Sequence, residues 1–400
     1  MKILIAADLH WPTINGVATF SRNLAKGLAD RGHEVIVIAP SQTGGSYEEW
    51  DGNYLIKRTM SVPFPFYQNF RISLTPQREI KKIFQEFQPD LVHLQMCLTI
   101  GNVAQRYALK YGIPIVATNH AIPDNLLDNL RYLAPMSRPI SYVITEYGVR
   151  FHAKVDYVTL PTQSAIEMFG EERIVVPVEA VSNGIDLSKF TPTKPTDAIY
   201  EKFKIPRDKR ILAYVGRTDA EKHIPVLVEA YKIARESLKT PSHLLIVGAG
   251  TDLERLKNIV YENDLHDHVT FTGRVSDEEI VELHKVGDVF AMPSPAELQC
   301  IAMLEAMASG KPVIAVDAGP LKELCQPERN GLLSEKDNPA DMAKNIVTLL
   351  DDPAKRKAYS KESLAIAKTH DLQHTIDKFE EIYQTVMKLP KTRRLPQPLL

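Results

Sequence analysis

Lys2-Ile3-Leu4-Ile5-Ala6-Ala7, followed by the turn Asn15-Gly16-Val17, decides how this chain folds. The apolar residues of 2–7 run on without alternating, as in a strand buried on both faces. From Gly16 the apolar positions fall at Val17, Phe20, Leu24 and Leu28, spacings of three and four that make one helical face. Gly32 ends that helix, and residues 34–39 read as a second buried strand. Strand, turn, helix and strand recur at 91–95 and 113–118. A second series begins near Arg210, with strands expected at 211–215, 244–247, 269–272, 289–292 and 312–316. Alternation of this kind predicts an α/β protein with two parallel sheets, each covered by helices. Val181 to Pro195, rich in turn formers, reads as the linker between them. In such sheets ligands bind outside the carboxyl ends of the strands. Two such edges facing each other predict one deep cleft between the two domains.

Composition agrees. Four hundred residues suit two domains. The chain is 44% apolar and 24% charged, with net charge −2, and residues 1–185 hold 17 basic and 17 acidic side chains. A nucleic-acid binder would show a basic excess, which is absent. No run of about 20 apolar residues could span a membrane. The first residues form a strand that meets Asp8 at once, unlike a signal peptide. Cys97, Cys300 and Cys325 are scattered and suggest neither a disulfide framework nor a zinc site. A cytoplasmic location is therefore expected.

The residues richest in chemistry lie at 295–310. Glu297 and Glu305 stand eight positions apart, one just before a helix and one inside it. At about 1.5 Å per residue this is roughly 12 Å, close to the span of a nucleotide sugar from hexose to ribose. Carboxylates accept well from paired hydroxyls, and the intervening amides, those of Cys300 and Ile301 among them, open a helix N-terminus suited to phosphate. Gly216-Arg217-Thr218-Asp219-Ala220-Glu221-Lys222 follows the first strand of the second series. Arg217 can bind a diphosphate with two hydrogen bonds and Lys222 as a point charge, or the run is a solvated charged loop. Gly248 and Gly250 close the next strand and let a loop pass near a ligand. Gly16 gives a close backbone approach at the first turn, or simply a tight turn; the G-x-G-x-x-G dinucleotide pattern is absent, which disfavours NAD. His120, at a strand's carboxyl end, could bond a sugar hydroxyl or serve structure alone. Residues 77–87 form an amphipathic helix with Arg78, Lys81 and Lys82 opposite Ile80, Ile83 and Phe84. It lies on an anionic membrane or turns its apolar stripe to the core. Before it, Phe64, Phe66 and Tyr67 make an apolar, proline-rich loop that would suit a lipid. The tail from Lys388 mixes bases with leucines, as a disordered end or a second membrane contact.

Taken together these residues resemble retaining glycosyltransferases of family 4, which have the GT-B fold of two facing Rossmann-like domains. The resemblance covers Met1 to about Met387. It is most specific at Glu297 and Glu305 with the following Ala306-Met307-Ala308-Ser309-Gly310, at Gly216-Arg217 with Glu221-Lys222, and at Asn183-Gly184-Ile185-Asp186. The Asn-Gly-Val turn and the Pro-Phe-Pro-Phe-Tyr loop are similar to those of bacterial enzymes that glycosylate diacylglycerol or phosphatidylinositol lipids. The resemblance implies an acceptor domain at 1–185, a nucleotide-sugar domain at 186–370, a helix at 371–388 crossing back to the first, and a tail at 389–400. It implies that Arg217 and Lys222 bind the donor diphosphate, Glu305 the ribose and Glu297 the hexose. Gly16 would face the phosphate or acceptor, and His120 the reacting face of the sugar. Gly273 and Arg274 would lie near the base. Front-side attack would need no protein nucleophile, and metal dependence is not expected. Gln299-Cys300 stands where the family often has Phe-Gly, and the larger side chain narrows the approach to the phosphate.

The expectation is a hexosyltransferase that moves glucose from UDP-glucose or mannose from GDP-mannose to a diacylglycerol-based or inositol lipid. It would be peripheral on the inner face of the cell membrane, as a monomer or weak homodimer. The alternatives are the same chemistry on a sugar phosphate, glycerate or polysaccharide, or a non-catalytic subunit that binds nucleotide sugar.

Overall fold

The computed structural model describes residues 1–13, 15–64, 70–120 and 137–389. Phe66 and Tyr67 of the apolar loop, and the tail from Pro390, lie outside the described residues. The chain forms two compact units: residues 1–183 with the segment from 373 onward, and residues 184–372.

The first unit contains β1 (Lys2–Ala6), β2 (Glu34–Pro40), β3 (Tyr47–Asp51), β4 (Tyr54–Thr59), β5 (Ser61–Pro63), β6 (Arg71–Ser73), β7 (Leu91–Leu94), β8 (Ile115–Thr118), β9 (Tyr157–Leu160) and β10 (Val178–Ala180). Eight of these make one sheet in the order β10-β9-β8-β7-β1-β2-β4-β3. It is parallel except at the β3–β4 edge, and β5 and β6 pair separately. Strand order reverses between β1 and β7, which makes that the switch point where a crevice opens.

The helix Gly16–Asp30 starts where Asn15 caps it, its side chain accepting from the Ala18 amide at 2.8 Å. It buries Phe20, Leu24 and Leu28. The helix Leu372–Met387 completes this core from the far end of the chain, burying Ile376, Phe379, Ile382, Tyr383 and Val386. Phe379 packs on Phe20 and His93, and the Tyr383 hydroxyl lies 2.6 Å from His93 Nδ1. Contact is so close that a Cβ on Gly27 would stand 2.0 Å from Ile376 Cδ1. The helix Gln77–Glu86 turns Ile80, Ile83 and Phe84 inward, with Phe84 against Tyr107 and Tyr111. Of the two readings of its apolar stripe, the core-facing one holds; Arg78, Lys81 and Lys82 remain exposed.

The second unit contains β11 (Arg210–Val215), β12 (Ser242–Val247), β13 (Val269–Gly273), β14 (Val289–Met292), β15 (Val313–Val316) and β16 (Gly331–Ser334). All are parallel, in the order β13-β12-β11-β14-β15-β16, with the reversal between β11 and β14. Every residue of β12 is buried, as both faces of the sheet are covered. The stretch expected as a linker is only partly one. Val181 bonds back to Leu160 of the first unit, while Ile185 pairs with 370–372 and Phe190 sinks into the second core. Apolar side chains at 185 and 190 gain more from burial than from serving a free tether. Among the described residues no helix is long and apolar enough to cross a membrane.

Candidate active site

In the second unit the loops after β11 and β14 meet at the switch point. Gly216 to Lys222 follow β11, and Glu297 follows β14. Lys222 Nζ donates to Glu297 Oε1 at 2.6 Å, with the two side chains only 14% and 13% exposed. Burial alone would favour the neutral amine, but the Glu297 carboxylate overrides it and holds the ammonium above its ordinary range. Arg217 Nη2 donates to Glu221 Oε1 at 2.6 Å, and Nη1 to Asp219. Two cations thus face three carboxylates of the chain itself. An anion entering here would need further positive potential, of the kind carried by the N-terminus of the helix Ile301–Ala308. Cys300 occupies the N-cap of that helix without a side-chain capping bond. Its side chain packs into the hydrophobic core, and burial and the nearby Glu297 hold the thiol well above its ordinary range, so it is no thiolate.

The separation of the two glutamates differs from the simple helical figure. The helix begins at Ile301, so residues 297–300 are irregular and the rise of 1.5 Å applies only from 301 onward. Glu305 lies within it, its Oε2 accepting from His284 Nε2 at 3.0 Å.

The loop after β12 locks onto the loop after β11. Gly248 has φ +128°, and a Cβ there would stand 2.0 Å from Gly216 O; one on Gly250 would stand 2.6 Å from Asp219 Oδ1. Asp219 Oδ1 accepts from Thr251 N at 2.8 Å and from its hydroxyl at 2.9 Å. Close packing of two loops therefore accounts for both glycines. Gly273 ends β13 and bridges to Gly248, and exposed Arg274 follows it.

In the first unit His120 stands just beyond β8 and Gln95 just beyond β7. His120 Nε2 lies 2.9 Å from Gln95 Oε1, and its ring packs on Phe20. Burial lowers its pKa to about 3, so it is a neutral hydrogen-bonding group near pH 7. Gly16 is the first residue of its helix, directly after the Asn15 cap. Half-buried Phe64 stacks edge-on against Phe70. Asp8, at the end of β1, accepts from the amides of Ile100 and Gly101 at 2.8 and 3.1 Å, and burial pushes it up to about 6.

Sequence reasoning brought together Arg217, Lys222 and Glu297 but passed over Gln95, Asp219 and His284 as partners. Asp219 carried a signal, lying within the charged run after β11. His284 carried none, since beside Leu283 and Val286 it reads as an ordinary core-facing helix position. Among the described residues no group of three or more His, Cys, Asp or Glu side chains is placed to hold a metal ion.

Known proteins share this architecture. The model of "Glycosyltransferase Family 4" matches residues 14–189, and that of "Glycosyl transferases group 1" matches 195–364. The chain is 29% identical over 339 residues to a GDP-mannose-dependent α-mannosyltransferase of Mycolicibacterium smegmatis, covering 84% of this chain and 85% of that protein. It is 28% identical over 345 residues to the α-monoglucosyldiacylglycerol synthase of Streptococcus pneumoniae, covering 84% and 74%. Its fold matches that of sucrose-phosphate synthase from Thermosynechococcus elongatus with a TM-score of 0.77 at 21% identity, over 96% and 98% of the two chains. With a Rossmann-type sheet in each half and family matches to both, the chain belongs to glycosyltransferase family 4 and is a glycosyltransferase of the GT-B fold.

Proposed function

We propose that the chain is a retaining hexosyltransferase that moves glucose or mannose from a nucleotide diphosphate sugar to a diacylglycerol-based or inositol lipid. The observation that carries the donor half of this reading is the 2.6 Å Lys222–Glu297 pair at the switch point, with Arg217 on the same loop. Arg217 and Lys222 take the diphosphate and stabilise the charge that grows on it as the glycosidic bond breaks. Glu297 accepts from hexose hydroxyls and Glu305 from ribose hydroxyls. Neutral His120, bonded through Nε2 to Gln95, offers Nδ1 to a hydroxyl near the reacting carbon. UDP-glucose and GDP-mannose both fit this set, which holds no group specific for one base.

The lipid half is supported by the relative named as an α-monoglucosyldiacylglycerol synthase and by the outward Arg78, Lys81 and Lys82, which suit an anionic membrane face. One observation favours a soluble acceptor instead: the apolar stripe beside those bases is spent on the core and is not free to insert. The deciding experiment offers the purified protein UDP-glucose and GDP-mannose, with vesicles containing diacylglycerol or phosphatidylinositol and, separately, with soluble sugar phosphates. Hexose in the solvent-extracted lipid, with its anomeric configuration kept, is expected. Transfer to the soluble acceptors alone would overturn the lipid assignment, and neither transfer nor donor hydrolysis would overturn the catalytic one.

A further inference from the structure

We propose that His284 is a positioning residue for Glu305, holding its carboxylate in the orientation that receives the ribose diol of the donor; this rests on the reading of Glu305 as the ribose ligand. His284 lies in the last turn of the helix Asp277–Val286, is 2% exposed, and places Nε2 3.0 Å from Glu305 Oε2. A carboxylate only accepts, so the imidazole donates, and the ring is fixed with its proton on Nε2. The ring is held by neighbours on two sides. Phe190 meets it edge-on with centroids 5.6 Å apart, and Phe290 of β14 lies tilted against it at 6.2 Å.

The consequence for Glu305 is orientational. The terminal torsion of a glutamate is broad, with no sharply preferred staggered state. A free carboxylate would sample that range, and a ligand would have to order it on binding. With Oε2 tied to His284, Oε1 and the remaining lone pair of Oε2 stay directed toward one region, where two adjacent hydroxyls can both donate. The pair spans 21 residues and two helices, so this orientation is set by tertiary packing.

The test uses the full chain and calorimetric titration with UDP, GDP, their 2′,3′-dideoxy forms, and pyrophosphate. The wild type should bind the better nucleoside diphosphate more tightly than its dideoxy form. His284→Leu should reduce that preference about tenfold, leave pyrophosphate binding unchanged, and retain cooperative melting. His284→Gln, which keeps an N–H donor, should restore most of the preference. A folded His284→Leu protein with the full wild-type preference overturns the inference alone. A wild type that does not distinguish ribose from dideoxyribose overturns the reading of Glu305 beneath it. Nitrogen-15 NMR of histidine in the unaltered protein gives a readout independent of variant folding. A proton on Nε2 of His284, shifted by the nucleotide and not by its dideoxy form, is expected; a proton on Nδ1 alone refutes the donor role.

Discussion

Replacing Lys222 by Met tests whether the charged cluster is a balanced pair or a chance contact. At 2.6 Å and an effective dielectric of about 20, the attraction between Lys222 and Glu297 is about 6 kcal/mol before desolvation is subtracted. Met keeps the bulk and removes the charge, leaving the Glu297 carboxylate 13% exposed without its cation. Orphaning a buried ion in this way costs about 3–5 kcal/mol. The double variant Lys222→Met with Glu297→Gln removes both charges and should recover most of that loss. Urea unfolding followed by far-UV circular dichroism measures it, with hydrogen exchange of the Leu212 and Tyr214 amides as a local probe of β11. Trp11 and Trp50, the two tryptophans of the chain, both belong to the first unit, so their fluorescence transition serves as an internal reference. Turnover should be lost in both variants. Equal destabilisation in the single and double variants would refute the pairing argument, and full turnover in the double variant would refute the role in donor binding.

Arg217→Lys keeps the charge but cannot fork between Asp219 and Glu221, so kcat/KM should fall about 100-fold or more, with a modest drop in melting temperature as one of those carboxylates loses its donor; wild-type turnover would reject the diphosphate role. Burial lowers His10, His93 and His120 to about 3, and His152 and His243 to about 4. Their unfolded forms gain protons below about 6.5 and their folded forms do not, so stability is present above that pH and is lost as pH falls, by up to about 1.4 kcal/mol per unit for each histidine. Asp8, raised to about 6, opposes this as a single group, since its folded form binds the proton more tightly. The melting temperature should therefore drop steeply from pH 6.5 to 5, and His93→Gln should make the slope shallower; a flat profile would contradict the buried neutral histidines.

What could be read in the sequence follows a physical division. Strands β1, β2, β7, β8, β11, β12 and β15 are short runs rich in Val, Ile and Leu, a pattern that central parallel strands require and that survives without tertiary knowledge. Strand β3 is Tyr-Glu-Glu-Trp-Asp and β4 carries Lys57 and Arg58, so neither looks apolar. They pair because Arg58, fully buried, donates to Glu49 at 2.7 Å and to the Trp11 carbonyl, partners that no local pattern reveals. The site divides in the same way. Charged residues at strand ends were legible because the ends of parallel strands are where ligands bind. Some of their partners were not, because His120 meets Gln95 across 25 positions and His284 meets Glu305 across two helices.

The closing helix Leu372–Met387 bears on how the chain is made. Ile376, Phe379 and Tyr383 fill a hole lined by Gly27, Phe20 and His93, all within the first 93 residues. A ribosome releases the whole of residues 184–372 before the residues that plug that hole emerge. At about 5–20 residues per second, the amino-terminal half waits roughly 10–40 s with part of its interior open to water. Nascent chains should therefore be chaperone clients during that interval, and release from the chaperone should coincide with arrival of the final helix.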